Sequence, residues 1–135
     1  MREILFRGKR IFDNGQWVEG CLLKVTLDGE TWHLIFGDDF QRSGLGITAM
    51  QHAAVNPVTV GQYTGLKDKN GKRIFEGDIF DWGYAGAKDL RYVVVYDAGL
   101  AAFVGERSFG FVSLNGIDIE IIGNIHDNPE LLEVR

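Results

Sequence analysis

"GQYTGLKDKNGKRIFEGDIF", residues 61–80, is built from apolar pieces set around one Asn-Gly pair. Asn70-Gly71 suits a tight turn, because asparagine and glycine tolerate the positive φ that matches the twist of two antiparallel strands. Ile74 and Phe75, then Ile79 and Phe80, form two short apolar pieces separated by Glu76-Gly77-Asp78. Read as strands, both send side chains to a core, and Gly77 allows a backbone conformation that a side chain would oppose. "IFEGDIF" is therefore a glycine corner, the kind of bend by which a small barrel closes. Around the turn stand Lys67, Lys69, Lys72 and Arg73, with Asp68 alone to offset them.

The same pattern extends in both directions. Asn14-Gly15 separates "RIFD" from "QWVEGCLLKVTL", Asp28-Gly29 separates that run from "TWHLIFG", and Asn115-Gly116 divides "GFVSL" from "IDIEIIGNI". Each pair predicts a hairpin turn. "RYVVVYD", 91–97, is apolar on both faces and reads as a central strand covered on both sides, with "LAAFVGE", 100–106, returning antiparallel to it after Asp97-Ala98-Gly99. Helix is scarce. "NPELLEV", 128–134, predicts a short C-terminal helix capped by Asn128 with Pro129 first, and "GITAMQHAA", 46–54, is too short to assign to helix or loop. The polar interval from about 37 to 57 reads as the join between an N-terminal β-subdomain, about 1–57, and a C-terminal part, 58–135.

Composition sets the outer limits. At 135 residues the chain suits one folding unit, and 45% hydrophobic residues supply a core. Eighteen glycines against two prolines favour many tight turns and short strands. A net charge of −5 is the wrong sign for a protein whose whole surface grips a nucleic-acid backbone, although a local basic patch is compatible with it. With one cysteine, Cys21, no internal disulfide forms, and no cleavable signal or long apolar run is seen, so a cytoplasmic location without membrane contact is expected. Cys21 lies in "VEGCLLKV" and reads as a small core residue.

Candidate chemistry is thin. His33, His52 and His126 are far apart, with neither histidine nor cysteine close enough to make a zinc signature. "HDNPE" and "GDDF" place carboxylates near one another without the spacing of a calcium loop; Asp127 and Asn128 read as turn formers and Asp38-Asp39 as a solvated loop. Ser43, Ser108 and Ser113 lack the glycine-flanked elbow of a nucleophile, and "SGLGITAM" lacks the third glycine of a phosphate loop. No catalytic residue, metal or cofactor is assigned. Trp82, Tyr84, Tyr92 and Tyr96 are read as core and rim in preference to a stacking platform for bases. The basic turn has two readings: it contacts phosphates or an acidic partner, or it keeps an exposed turn soluble and discourages edge pairing.

"QYTGLKDKNGKRIFEGDIF" at 62–80, "YVVVYD" at 92–97 and "IEIIGNIHDNPELL" at 119–132 resemble the YopX proteins of bacteriophages and prophages of Gram-positive bacteria. "MREILFRGKR" and "GQWVEGCLL" are similar to the start of that family, though many members carry an "FRAWD"-like opening where this chain has Phe6 to Arg10. The resemblance implies an all-β architecture, an N-terminal β-subdomain with a C-terminal small SH3-like barrel, and expression in the host cytoplasm. It implies no particular reaction, cofactor or functional residue. The expectation is thus a non-enzymatic accessory module that binds a macromolecule, a protein rather than a nucleic acid, through the barrel surface and Lys67, Lys69, Lys72 and Arg73, with self-association through exposed β edges. The alternatives are a small metal-dependent hydrolase or nuclease using His126 and Asp127, and a structural component of the phage particle.

Overall fold

The computed structural model describes residues 3–37, 47–82, 90–108, 110–115 and 118–133. Asp38, Asp39, Ser43, Gly44, Gly46, Tyr84, Gly116 and Val134 lie outside them. The protein is mainly β, and its chain divides into two compact units, Met1–Tyr63 and Thr64–Arg135.

The first unit contains β1 (Phe6–Lys9), β2 (Trp17–Leu27), β3 (Glu30–Phe36), the helix α1 (Ile47–Ala53) and the start of β4 (Gly61–Lys67). Strands β2 and β3 form a long antiparallel hairpin with Leu27 opposite Glu30. Its two-residue turn has Asp28 at φ 51 and Gly29 at φ 80, the conformation expected of Asp-Gly. Around Asn14-Gly15 the turn is wider than a two-residue hairpin: Lys9 pairs with Trp17, and Arg10 N–H donates to the Gln16 carbonyl. Asn14 and Gly15 still take positive φ, at 58 and 67.

Strand parity decides what faces inward. Val18 and Gly20 of β2 are buried, so Glu19, Cys21 and Leu23 fall on the other face. Cys21 is exposed, which corrects the core assignment made from its apolar neighbours. Gly20 leaves no room for a side chain, because a Cβ there would stand 2.0 Å from the Phe36 carbonyl oxygen. Helix α1 settles the ambiguity of segment 46–54. The chain leaving it, Ala54 and Val55, bridges to Leu34 and Arg10, and Val55 N–H donates to the His33 carbonyl. Leu34, Ala53 and Ala54 make one cluster with Met50 and Trp32 against it; Val18, Ile35 and Val55 make another with Phe6 and Leu22.

The second unit contains the end of β4, then β5 (Arg73–Phe75), β6 (Asp78–Asp81), β7 (Arg91–Asp97), β8 (Ala102–Arg107), β9 (Gly110–Ser113) and β10 (Ile121–Asn124). The strand orders are β3-β2-β1-β4-β5 and β10-β6-β7-β8-β9, all antiparallel where registers are defined. As expected, "RYVVVYD" is the central strand of its sheet and "AFVGER" returns antiparallel beside it. Ile74, Phe75, Ile79 and Phe80 are all buried about the corner at Gly77, whose φ is 89. Burying each such side chain contributes about 1.5–3 kcal/mol.

The corner does not close a barrel. Gly77 passes the chain from β5, which neighbours β4, to β6, which neighbours β7 and β10; the second sheet is open, with β10 and β9 at its two ends among the described residues. The closed small barrel read from the sequence is corrected accordingly. Phe80 stacks on Tyr92 with ring centroids 5.5 Å apart, and Trp82 meets Tyr92 edge-on at 6.2 Å. Those rings sit with Ile74, Val94, Leu114, Ile119 and Ile121 in one core, while Tyr96 lies on its exposed rim against Phe103. The C-terminal helix shrinks to a single 3-10 turn, Pro129–Leu132. Asn128 does not cap it; its side-chain oxygen accepts from the Asn124 N–H at 3.2 Å instead.

Candidate binding surface

The basic turn is organised by the one acid within it. Asp68 is buried, and its Oδ1 accepts from the N–H groups of Asn70 and Lys72, each at 2.9 Å, while Oδ2 accepts from Ile121 N–H at 3.1 Å. Burial alone would raise its pKa, but the donors Ile121, Lys72 and Asn70, with the Lys72 charge, more than offset this and hold the carboxyl below the ordinary range. Gly71 N–H donates to the Asp68 carbonyl at 2.9 Å, and Gly71 takes φ 82 while Asn70 stays at negative φ. This is a type I turn over Asp68–Gly71 with glycine in the left-handed position, not the two-residue type I′ turn that Asn-Gly suggests.

The turn is also fastened from outside. Lys69 N–H donates to the Ile119 carbonyl at 2.9 Å, and Asn70 Nδ2 donates to Glu120 Oε2 at 3.0 Å. With Asp68 turned inward, the outer side shows the exposed Lys67, Lys69 and Lys72; Arg73, in β5, is half-buried. Exposed Asp118 and Glu120 flank them on the adjoining segment. The surface is therefore a pinned backbone turn carrying three exposed lysines and edged by carboxylates.

His126 and Asp127 serve the backbone of their own turn. Their N–H groups both donate to Asn124 Oδ1 at 2.9 Å, and Asn124 Nδ2 reaches Asp127 Oδ2 at 3.3 Å. Ile125 N–H closes on the Gly77 carbonyl at 2.9 Å, and His126 Nε2 lies 3.8 Å from where a Cβ on Gly77 would be. Among the described residues, no three His, Cys, Asp or Glu side chains gather as a metal site would need.

On the outer face of β7, Val93 and Val95 floor an open groove of about 990 Å³ walled by Phe111 and by Leu132 and Glu133. Arg91 fixes its far end, donating from Nη1 to the Leu131 carbonyl at 2.9 Å and from Nε to Asp81 Oδ1 at 3.2 Å. Val93 and Val95 are thus only half-covered, where the sequence suggested a strand covered on both sides. Sequence reasoning also missed Asp68 and Asn124 as organisers. Asp at the first position and glycine at the fourth of "DKNG" was the available signal for Asp68.

A family model described as YopX protein matches residues 6–133 of the chain. Among solved structures, the chain is similar to protein EF1440 from Enterococcus faecalis, with 26% identity, a TM-score of 0.53, and coverage of 98% of this chain and 100% of that one. A comparison with curated proteins gave no match.

Proposed function

The chain belongs to the YopX family, and on that premise we propose that it is a non-enzymatic phage or prophage accessory module that acts in a bacterial cytoplasm by binding another protein. The observation that carries this reading is the inward turn of Asp68. It takes the turn's one acid off the solvent-facing side, though the carboxylate still attracts Lys72, and leaves Lys67, Lys69 and Lys72 exposed on a backbone pinned to residues 119–121. A pinned turn loses little freedom on binding, which favours affinity per contact. Asp118 and Glu120 beside the lysines would repel a continuous phosphate backbone, whereas a protein surface with acids and a few bases can match the mixture.

The test is the triple variant Lys67→Glu, Lys69→Glu, Lys72→Glu, used beside the wild type as bait in prophage-induced cells. Lys67 and Lys69 are exposed, so their changes should each shift stability by no more than about 0.5 kcal/mol, with a larger cost at Lys72, whose charge supports Asp68, while the captured partner is lost. A virion protein as that partner would place the chain in the phage particle. Fluorescence polarisation with single-stranded DNA, duplex DNA and RNA at low salt should show no binding. If instead the wild type binds with a steep salt dependence that the triple variant flattens, the protein-partner reading falls to a nucleic-acid one.

A further inference from the structure

Beyond Gly20, β2 has β3 on one side and, among the described residues, no strand on the other. Leu27 and Glu30 close a two-residue turn, so they exchange both main-chain hydrogen bonds, and the alternation then assigns Leu23 and Val25 to β3 as well. The peptide groups of Lys24 and Thr26 point to the open side. On one face of this free stretch Leu23 and Leu27 are 49% and 48% exposed, with half-buried Val25 between them.

We propose that this edge pairs with the same edge of a second copy, antiparallel about a two-fold axis at Val25. In that register Lys24 lies opposite Thr26 of the second copy, a pair whose peptide groups both face the seam, and Leu23 lies against Leu27. The neighbouring registers are worse. An axis at Lys24 sets two ammonium groups opposite each other, and an axis at Thr26 carries Leu23 opposite Gly29 in the turn. Lys24 thus acts as a selector: it opposes its own register and indiscriminate edge pairing, and permits the one that joins leucine to leucine. An isologous seam of this kind closes as a dimer and propagates no further.

Sedimentation velocity across a concentration series should show a monomer–dimer equilibrium. Leu23→Lys with Leu27→Lys should shift it to monomer with unchanged circular dichroism, since both side chains are already exposed. Thr26→Pro should do the same by removing an N–H that the β2–β3 ladder does not use. The register is read by Val25→Cys in a Cys21→Ser chain. A residue opposite itself in a non-hydrogen-bonded pair has its Cα about 4.5 Å from its copy, within the range of about 4.4–6.8 Å that a disulfide spans. That chain should oxidise to a covalent dimer, whereas Cys21 of the wild type, opposite Gly29 of the second copy, should not. A wild type that stays monomeric throughout, a dimer that survives the lysine variants, or a dimer that Val25→Cys cannot trap would each overturn the proposal.

Discussion

Among the described glycines of the first unit, Gly20 meets the closest main-chain atoms. A Cβ there would meet main-chain atoms, the Phe36 oxygen at 2.0 Å and carbon at 2.6 Å, and main chain held in a ladder cannot rotate aside as a side chain does. Gly20→Ala should therefore destabilise by about 3 kcal/mol or more, at the upper end of overpacking costs, measured by urea unfolding. Asp68 gives a pH test. Its folded-state carboxyl titrates below the ordinary value of 3.8, so its contribution is complete above that pH and is lost as the pH falls through 3.8 and then through the lowered folded value. Asp68→Ala should cost about 1–3 kcal/mol at neutral pH from the buried Ile121 N–H alone. The gap between wild type and variant should narrow below about pH 4; an unchanged gap at acid pH would contradict the assignment.

Among the elements, the C-terminal 3-10 turn depends on Arg91. The guanidinium forks between the Leu131 carbonyl and Asp81, so Arg91→Ala should cost about 1–2 kcal/mol and speed amide exchange at Leu131 and Glu133, with Val94 in the core of β7 unaffected. Lysine has no fork and should not restore protection. Hairpins were legible in the sequence at Asp28-Gly29, though not at Asn115-Gly116, since β9 and β10 stand at opposite ends of their sheet and, among the described residues, do not pair. Turns were misread where a neighbouring side chain intervenes: the Asp68 carboxylate draws in Asn70 and Lys72 and converts Asn70-Gly71 to a different turn. The last helix was overestimated for the same reason, since Asn128 bonds back to Asn124 rather than capping. Cys21 was misplaced because apolar neighbours say less about burial than strand parity does, and parity becomes known only once Gly20 is fixed inward. The glycine corner at 77 was foreseen, but its destination was not, because whether a bend closes one sheet or changes sheets depends on pairings distant in sequence.

Among the described residues, the hydrophobic clusters of the first unit share no residue with that of the second. Ile35→Ala leaves a cavity in the first unit worth about 2–5 kcal/mol. Trp17 and Trp32 report that unit, and Trp82 reports the other. In urea, a Trp82→Phe background should then show an earlier midpoint, while a Trp17→Phe, Trp32→Phe background moves less; equal shifts would mean that the chain unfolds as one cooperative body. The candidate surface was only half visible from sequence. The cations could be counted, but that the three lysines are exposed while Arg73 is half-buried, and that Asp68 turns inward, follows from tertiary packing and hydrogen bonds.

The anchoring of Asn70 also bears on chemical ageing. Deamidation at Asn-Gly begins when the following amide nitrogen attacks the side-chain carbonyl, yet Gly71 N–H is held by the Asp68 carbonyl and the Asn70 amide by Glu120. Folding thus shields the residue whose conversion to aspartate would set a new anion against Glu120 and erode the cationic character of the turn.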